Sequence, residues 1–238
     1  MTCVLMLGSG PAVVQAAGWP RAPFDAVVAI NNAHAVRSDW THHIYPWDFP
    51  AERRPTPRDG QIRVTQDDFV PAQNAFGGFV YAGGTMAFTA AYWALHDLRP
   101  RVIAAFGCDM HYPKGQTHFY GTGTADPLRP DITLQSLEAK SARLMILAAM
   151  AGCAMVNLSF GPSRLVFPRV TRGRAAQARP LPFDAALADR ALRREADLGY
   201  VVPSGRYWDE ADRFDPAELR HLDALWLAAA QSGLAASA

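Results

Sequence analysis

The chain has 238 residues, half of them hydrophobic and 19% charged, with a formal net charge of +1. That length and composition suffice to bury a core without a metal or disulfide to staple it. The balanced charge gives no basic footprint for nucleic acid or for an anionic membrane surface.

Along residues 2–160 short apolar runs alternate with helical patterns, which predicts βα units and an α/β fold with a mostly parallel sheet flanked by helices. Residues 2–7 form the first run, Gly8-Ser9-Gly10-Pro11 turns the chain, and residues 12–17 make a short helix. A second strand over 26–30 closes on Asn31-Asn32, and residues 42–47 are a candidate third. Residues 50–61, with Pro50, Pro55, Pro57 and Gly60, read as a surface connection. Gly77-Gly78 and Gly83-Gly84 bracket Phe79-Val80-Tyr81-Ala82, and the helix over 85–98 is apolar enough to be sandwiched in the core. A strand over 101–106 then opens into a loop of about twenty residues, more than a compact domain usually carries without a functional reason.

Asp131 is the expected cap of a long helix over 132–151, stopped by Gly152, and residues 153–158 return as a strand. The expected division is a sheet domain over 1–168, a solvated linker over 169–182 and a helical appendage over 183–238. In the appendage one helix is capped by Asp184 and ends at Gly199. The other starts with Asp215 as cap, Pro216 and Glu218. Leu222, Leu225 and Trp226 either pack on the protein's own fold or offer a face to a partner, which leaves an oligomer open. Cys3, Cys108 and Cys153 lie in or beside strands without CxxC spacing and read as buried thiols of a reducing compartment. Residues 1–7 lack a positive n-region, and no apolar run reaches the ~20 residues of a membrane span. A cytoplasmic location is expected.

Four constellations carry candidate chemistry. Gly8, Ser9, Gly10 and Pro11 stand between a strand and a helix, where backbone amides can approach an anion, or where the chain simply turns. They match neither a Walker loop nor GxGxxG. Asn31 and Asn32 can read a base or ribose edge, or form an ordinary turn. Gly83, Gly84 and Thr85 open the apolar helix, either as a second anion site or as a close helix–strand contact. The long loop holds Asp109, His111, Tyr112, Lys114, His118, Tyr120, Asp126 and Arg129, which supply bases, metal ligands and hydroxyl donors at the carboxyl end of a strand, where open α/β sheets bind ligands. His42-His43 has no carboxylate at ligand spacing, and there is neither a GxSxG elbow nor HExxH. No metal site is expected.

Taken in order, Gly8-Ser9-Gly10-Pro11, the asparagine closing the second strand, the Gly-Gly-Thr helix start and Gly107-Cys108-Asp109 with its following tyrosines resemble the bacterial sialyltransferase family that uses CMP-sialic acid. The relatives of that family include Maf-type glycosyltransferases and the archaeal 6-hydroxymethylpterin diphosphokinase. Gly107-Cys108-Asp109 through Gly115-Gln116-Thr117-His118 is especially similar to the Maf-type pattern, and the likeness spans roughly residues 3–160. The resemblance implies a Rossmann-like, GT-A-type transferase domain. Gly8, Ser9, Gly10 and Asn31 would hold CMP, Gly84 and Thr85 would form the second turn, and Tyr112 and Tyr120 would stabilise the leaving phosphate in an inverting, metal-independent transfer.

Two departures stand out. Ser9 and Ala12 replace the usual asparagine and serine of the first loop, and residues 124–131 contain no histidine where the family carries its base. His118 is the preferred substitute, with Asp126 as the other option if burial raises its pKa. The expectation is a glycosyltransferase-like enzyme that passes a sugar from a nucleotide-activated donor, a CMP-nonulosonic acid, to an unidentified acceptor hydroxyl, with no cofactor required. The alternatives are Mg²⁺-dependent diphosphoryl transfer to a pterin-like alcohol, with Asp109 and Asp126 holding the ion, and a non-catalytic nucleotide-binding module.

Overall fold

A computed structural model describes residues 2–112, 115–122 and 129–237. Strands β1 (Cys3–Leu7), β2 (Ala26–Ile30), β3 (His42–Ile44), β4 (Ile62–Val64), β5 (Val102–Phe106) and β6 (Ala154–Asn157) form one sheet in the order β4-β3-β2-β1-β5-β6. Every pairing is parallel. The chain runs outward from β1 to β4, then crosses back to lay β5 and β6 on the other side of β1. The strand order therefore reverses between β1 and β5. This is the expected α/β, Rossmann-like arrangement, and no helix among the described residues is long and apolar enough to cross a membrane.

β1, β2 and β5 read as unbroken apolar runs, and β6 as an apolar run closed by Asn157, because strands of a covered parallel sheet are buried on both faces, and every residue in them is buried. Alternate residues serve opposite faces. Val4, Met6, Val28, Ile30 and Ile103 face the helical side, formed by α1 (Gln66–Asn74), α2 (Phe79–Ala82), α3 (Met86–Trp93), α4 (Leu137–Met150), α5 (Ala185–Leu198) and α6 (Pro216–Ser237). Leu5, Leu7, Val27, Ala29 and Phe106 face a thinner cover built from 3-10 segments at Pro11–Gly18, Asn31–Ala35 and Arg172–Gln177, with Phe24 and Trp40.

Residues 169–182, expected as a solvated linker, thus form part of the fold: Arg169 bridges to Asn157, and Ala175 is fully buried under the sheet. The apolar core continues without a break into the C-terminal helices. There Leu222, Leu225 and Trp226 are buried within the chain itself rather than presented to a partner. Two buried ion pairs fix these helices on α4. Arg143 makes a bidentate pair with Glu195 at 2.8 and 2.7 Å, and also donates to Tyr92 Oη and the Phe76 carbonyl. Trp226 Nε1 donates to the same carboxylate, and Lys140 pairs with Asp223 at 2.8 Å. Because every partner of the guanidinium is in place, its burial is compensated.

Several boundaries differ from expectation. Asp131 caps only a single 3-10 turn, Ile132–Leu134, and α4 starts at Leu137 with Ser136 as its cap, accepting from the Ala139 amide. Asp131 is held elsewhere: it accepts from Thr133, Arg129 and Tyr207 Oη. α3 ends at Trp93 and continues as a wider π turn to Leu98. The third strand stops at Ile44, and the last covers Ala154–Asn157 only. The caps at Asp184, Asp215 and Gly199 match expectation, and all three cysteines are free and buried.

Candidate functional site

The loops after β1 and β5 meet where the strand order reverses, the position at which open α/β sheets hold ligands. The Gly8 amide donates to the Phe106 carbonyl at 2.9 Å and the Gly10 amide to the Gly107 carbonyl at 2.8 Å. Such an approach requires glycine: a Cβ on Gly8 would collide with the Gly107 carbonyl and stand 2.7 Å from Cys108 Sγ. Gly107 itself has φ +71° and would place a Cβ 2.8 Å from Val13. The two loops form one floor.

Above that floor lies a cavity of about 310 Å³. It is lined by Gly8, Ser9, Gly10, Pro11 and Ala12 from the first loop, and by Asn31 at the end of β2. Thr85, Met86 and Ala87 at the start of α3 and the segment 107–112 line it as well, with His118, Tyr120 and Pro162. Gly8, Ser9, Gly10, Pro11, Asn31, Thr85, Asp109, Tyr112, His118 and Tyr120, singled out in the sequence, are therefore brought together. Asn32, Gly83 and Gly84 are not in this cavity, and Asp126 lies outside the described residues, as does Lys114.

The donors available to a ligand differ from those the glycine patterns suggest. With Gly8 and Gly10 engaged and Pro11 lacking an N–H, the first loop's remaining amides are those of Ser9 and Ala12. At the second turn the amide of Gly83 goes to Phe79, that of Gly84 to Thr133 Oγ1 at 2.9 Å, and that of Thr85 to Gly83. A Cβ on Gly84 would run into Tyr207, so this pair of glycines serves close packing. Thr85 caps α3 by accepting from the Phe88 amide, and the helix presents Met86 and Ala87 as its first turn at the cavity wall. The sequence could have placed this site one turn later, because a threonine N-cap puts the open amides after itself, not before it.

Asn31 adopts φ +51°, and its Oδ1 is buried with no hydrogen-bond partner among the described residues. Its carbonyl is held by His43 Nε2 at 2.8 Å. His43 is fully buried against Trp40, Tyr45, Phe49 and His34, and burial pulls its pKa down to about 4. It is a neutral buttress, a role that no sequence pattern around His42-His43 signals. Among the described residues no group of three or more His, Cys, Asp or Glu is placed to hold a metal ion.

The β5 loop is anchored from β6. Asn157 Nδ2 donates to Asp109 Oδ1 at 3.0 Å and to Ser163 Oγ at 3.1 Å, and the Arg164 amide donates to the Asp109 carbonyl. Met110 also takes a positive φ of 50°, so the strand ends around the cavity carry three left-handed residues, Asn31, Gly107 and Met110. Cys108 is buried and its thiol pushed far up by burial and then by Asp109, which leaves it a packing group. Residues 118–121 form a tight turn, closed by the His118 and Gly121 backbones, and this turn docks through the Phe119 amide on the Ser9 carbonyl at 3.0 Å. His118 is thereby buried in the cavity wall, stacked on Tyr120 at 5.0 Å and 5.7 Å from the Tyr112 ring, with Nδ1 2.8 Å from Thr117 Oγ1. His118 and two phenols thus line the same cavity as Ser9, Ala12 and Asn31. No family model, curated protein or solved structure matches the chain.

Proposed function

We propose that the chain is a glycosyltransferase that takes a sugar from a nucleotide-activated donor, a CMP-linked nonulosonic acid in the first instance, and passes it to an acceptor hydroxyl with inversion. What supports this reading is one observation: amide donors from Ser9, Ala12 and the start of α3, the Asn31 side chain, and His118 between two tyrosines all border a single cavity at the sheet's switch point. In the proposed step His118 Nε2 takes the acceptor proton as the acceptor oxygen bonds to the anomeric carbon. The bond from that carbon to the phosphate oxygen breaks, and its electron pair stays on the phosphate. Tyr112 and Tyr120 hydroxyls and the loop amides stabilise that charge, a contribution that fixed dipoles supply without reorganising at the moment of reaction. The chemistry needs no metal ion.

Calorimetric titration with CMP, CDP, UDP, GDP and ATP, each with and without Mg²⁺, tests the donor. CMP binding that is indifferent to Mg²⁺ is the expected result. Mg²⁺-dependent ATP binding would replace the reading with diphosphoryl transfer, and no binding by any nucleotide would leave the fold without a nucleotide function. His118→Ala should lower turnover of a CMP-activated donor by about 100-fold or more while CMP still binds. Unchanged turnover would remove His118 from the base role.

A further inference from the structure

A second cavity, of about 750 Å³, lies beside the first and shares Tyr120 with it. The consecutive residues Asn31 and Asn32 each line one of the two, so the cavities flank the same strand end. The turn at 118–121, docked on Ser9, is the partition between them.

The second cavity is chemically unlike the first. The described lining of the first contains no arginine or lysine, whereas the second contains Arg53 and Arg54. Neither guanidinium has a carboxylate within ion-pair distance among the described residues, although Glu52 stands in the same lining. Arg54 is fixed: it donates to the Phe49 and Trp47 carbonyls and lies 5.0 Å over the Tyr45 ring, contacts that orient the cation and leave its charge in place. His34 is drawn towards the neutral form by burial and ties the cavity wall to the Arg53 carbonyl at 2.8 Å, so the positive charge of the lining comes from the two arginines. Phe119 and Tyr120 give flat aromatic walls suited to the apolar face of a sugar ring, and Asn32, Glu52 and Thr122 add groups for hydroxyls.

The geometry points to a second-substrate subsite in this cavity, taking a polyhydroxylated ligand that carries a carboxylate or phosphate, with Arg53 and Arg54 as its anion contacts. The inference rests on the transferase reading above and assigns the acceptor end of that site: an acidic sugar seated on the arginines would present a hydroxyl across Tyr120 towards His118. The donor and acceptor would then enter from opposite sides of the 118–121 turn.

Saturation-transfer NMR and calorimetry with glucose 6-phosphate, glucuronate and glucose as probes, each with and without saturating CMP, test it on the whole chain. At least one acidic sugar should bind about tenfold or more tightly than glucose, and should bind with CMP present. Comparison of the two acids separates phosphate from carboxylate recognition. Arg53→Gln should lower that affinity about tenfold, while Arg58→Gln, the same charge change on an exposed neighbour outside the cavity, should leave it within about twofold. Arg53 is exposed, so its replacement leaves the fold intact.

Equal binding of all three sugars, or no binding, would overturn the proposal. So would an Arg58→Gln loss as large as that of Arg53→Gln, which would indicate diffuse charge. Displacement of the acidic sugar by CMP would also overturn it, making the cavity an extension of the nucleotide site. If CMP itself fails to bind, the donor reading falls, and the arms without CMP still decide whether the second cavity recognises an acidic sugar.

Discussion

His43 donates its Nε2 hydrogen to the carbonyl oxygen of Asn31 across 2.8 Å, from a position closed to solvent. The bond couples a buried aromatic cluster to a strand-end residue that lines the cavity and carries a buried, unpartnered side-chain oxygen.

The first prediction concerns acid. Burial lowers the His43 pKa from 6.5 to about 4, so the folded state favours the neutral ring. Its stabilising contribution is complete above pH 6.5, falls as the pH drops below that value, and is lost near pH 4 on the order of 2–3 kcal/mol. Urea denaturation of the wild type and His43→Gln at several pH values between 7.5 and 4 should show the variant losing less stability over that window. Parallel curves would mean that His43 is not the group responsible.

Asn31 carries both a left-handed backbone and a buried, unpartnered oxygen. Asn31→Gly removes the strain and the orphaned acceptor together, so the variant should be as stable as the wild type or more so by about 1 kcal/mol. CMP affinity should nevertheless fall about tenfold, because Asn31 lines the cavity and glycine removes its side chain from the ligand contact. Thermal melting and calorimetry read the two effects separately, and a variant that is destabilised with unchanged affinity would contradict this account.

The contact between the two loops predicts a contrast among glycines. Gly8→Ala forces a methyl group against Gly107 and Cys108 and should destabilise by about 1–3 kcal/mol. Gly18→Ala meets open space, and should leave the melting temperature unchanged or raise it, within about 1 kcal/mol.

Arg143 and Glu195 offer a test of the link between sheet and tail. Arg143→Met strands a buried carboxylate and should cost about 3–5 kcal/mol in urea denaturation, much of which a second change, Glu195→Leu, should restore. Additive losses in the double variant would show that the pair is not acting as a unit.

The central strands were legible because burial on both faces leaves no polar alternation: residues 3–7, 26–30 and 102–106 are uninterrupted apolar runs. β4 escaped notice for the opposite reason. Ile62-Arg63-Val64 is a three-residue edge strand with only Val64 buried. α1, next to it, was hidden by a polar first turn and by Pro71 in its interior. Asp131 and Ser136 are both good caps, and Asp131 is drawn off by Arg129 and Thr133 beside it and by Tyr207, 76 residues away. The first cavity could be anticipated because its residues sit at strand ends. The second could not, since Asn32, Arg53 and Tyr120 come from segments whose meeting depends on how the 118–121 turn docks.

The uneven cover of the sheet bears on the order of events at the ribosome. All six strands have been made once Asn157 has been added, yet one face still lacks Ala175 and the other lacks Tyr207, Leu222 and Trp226. A chain cut at residue 168 would hold all six strands with apolar surface open on both sides of the sheet, the kind of species that chaperones retain and that aggregates when they do not. α6, far from the ligand cavity in sequence, is therefore a part of what closes the helical face of the sheet.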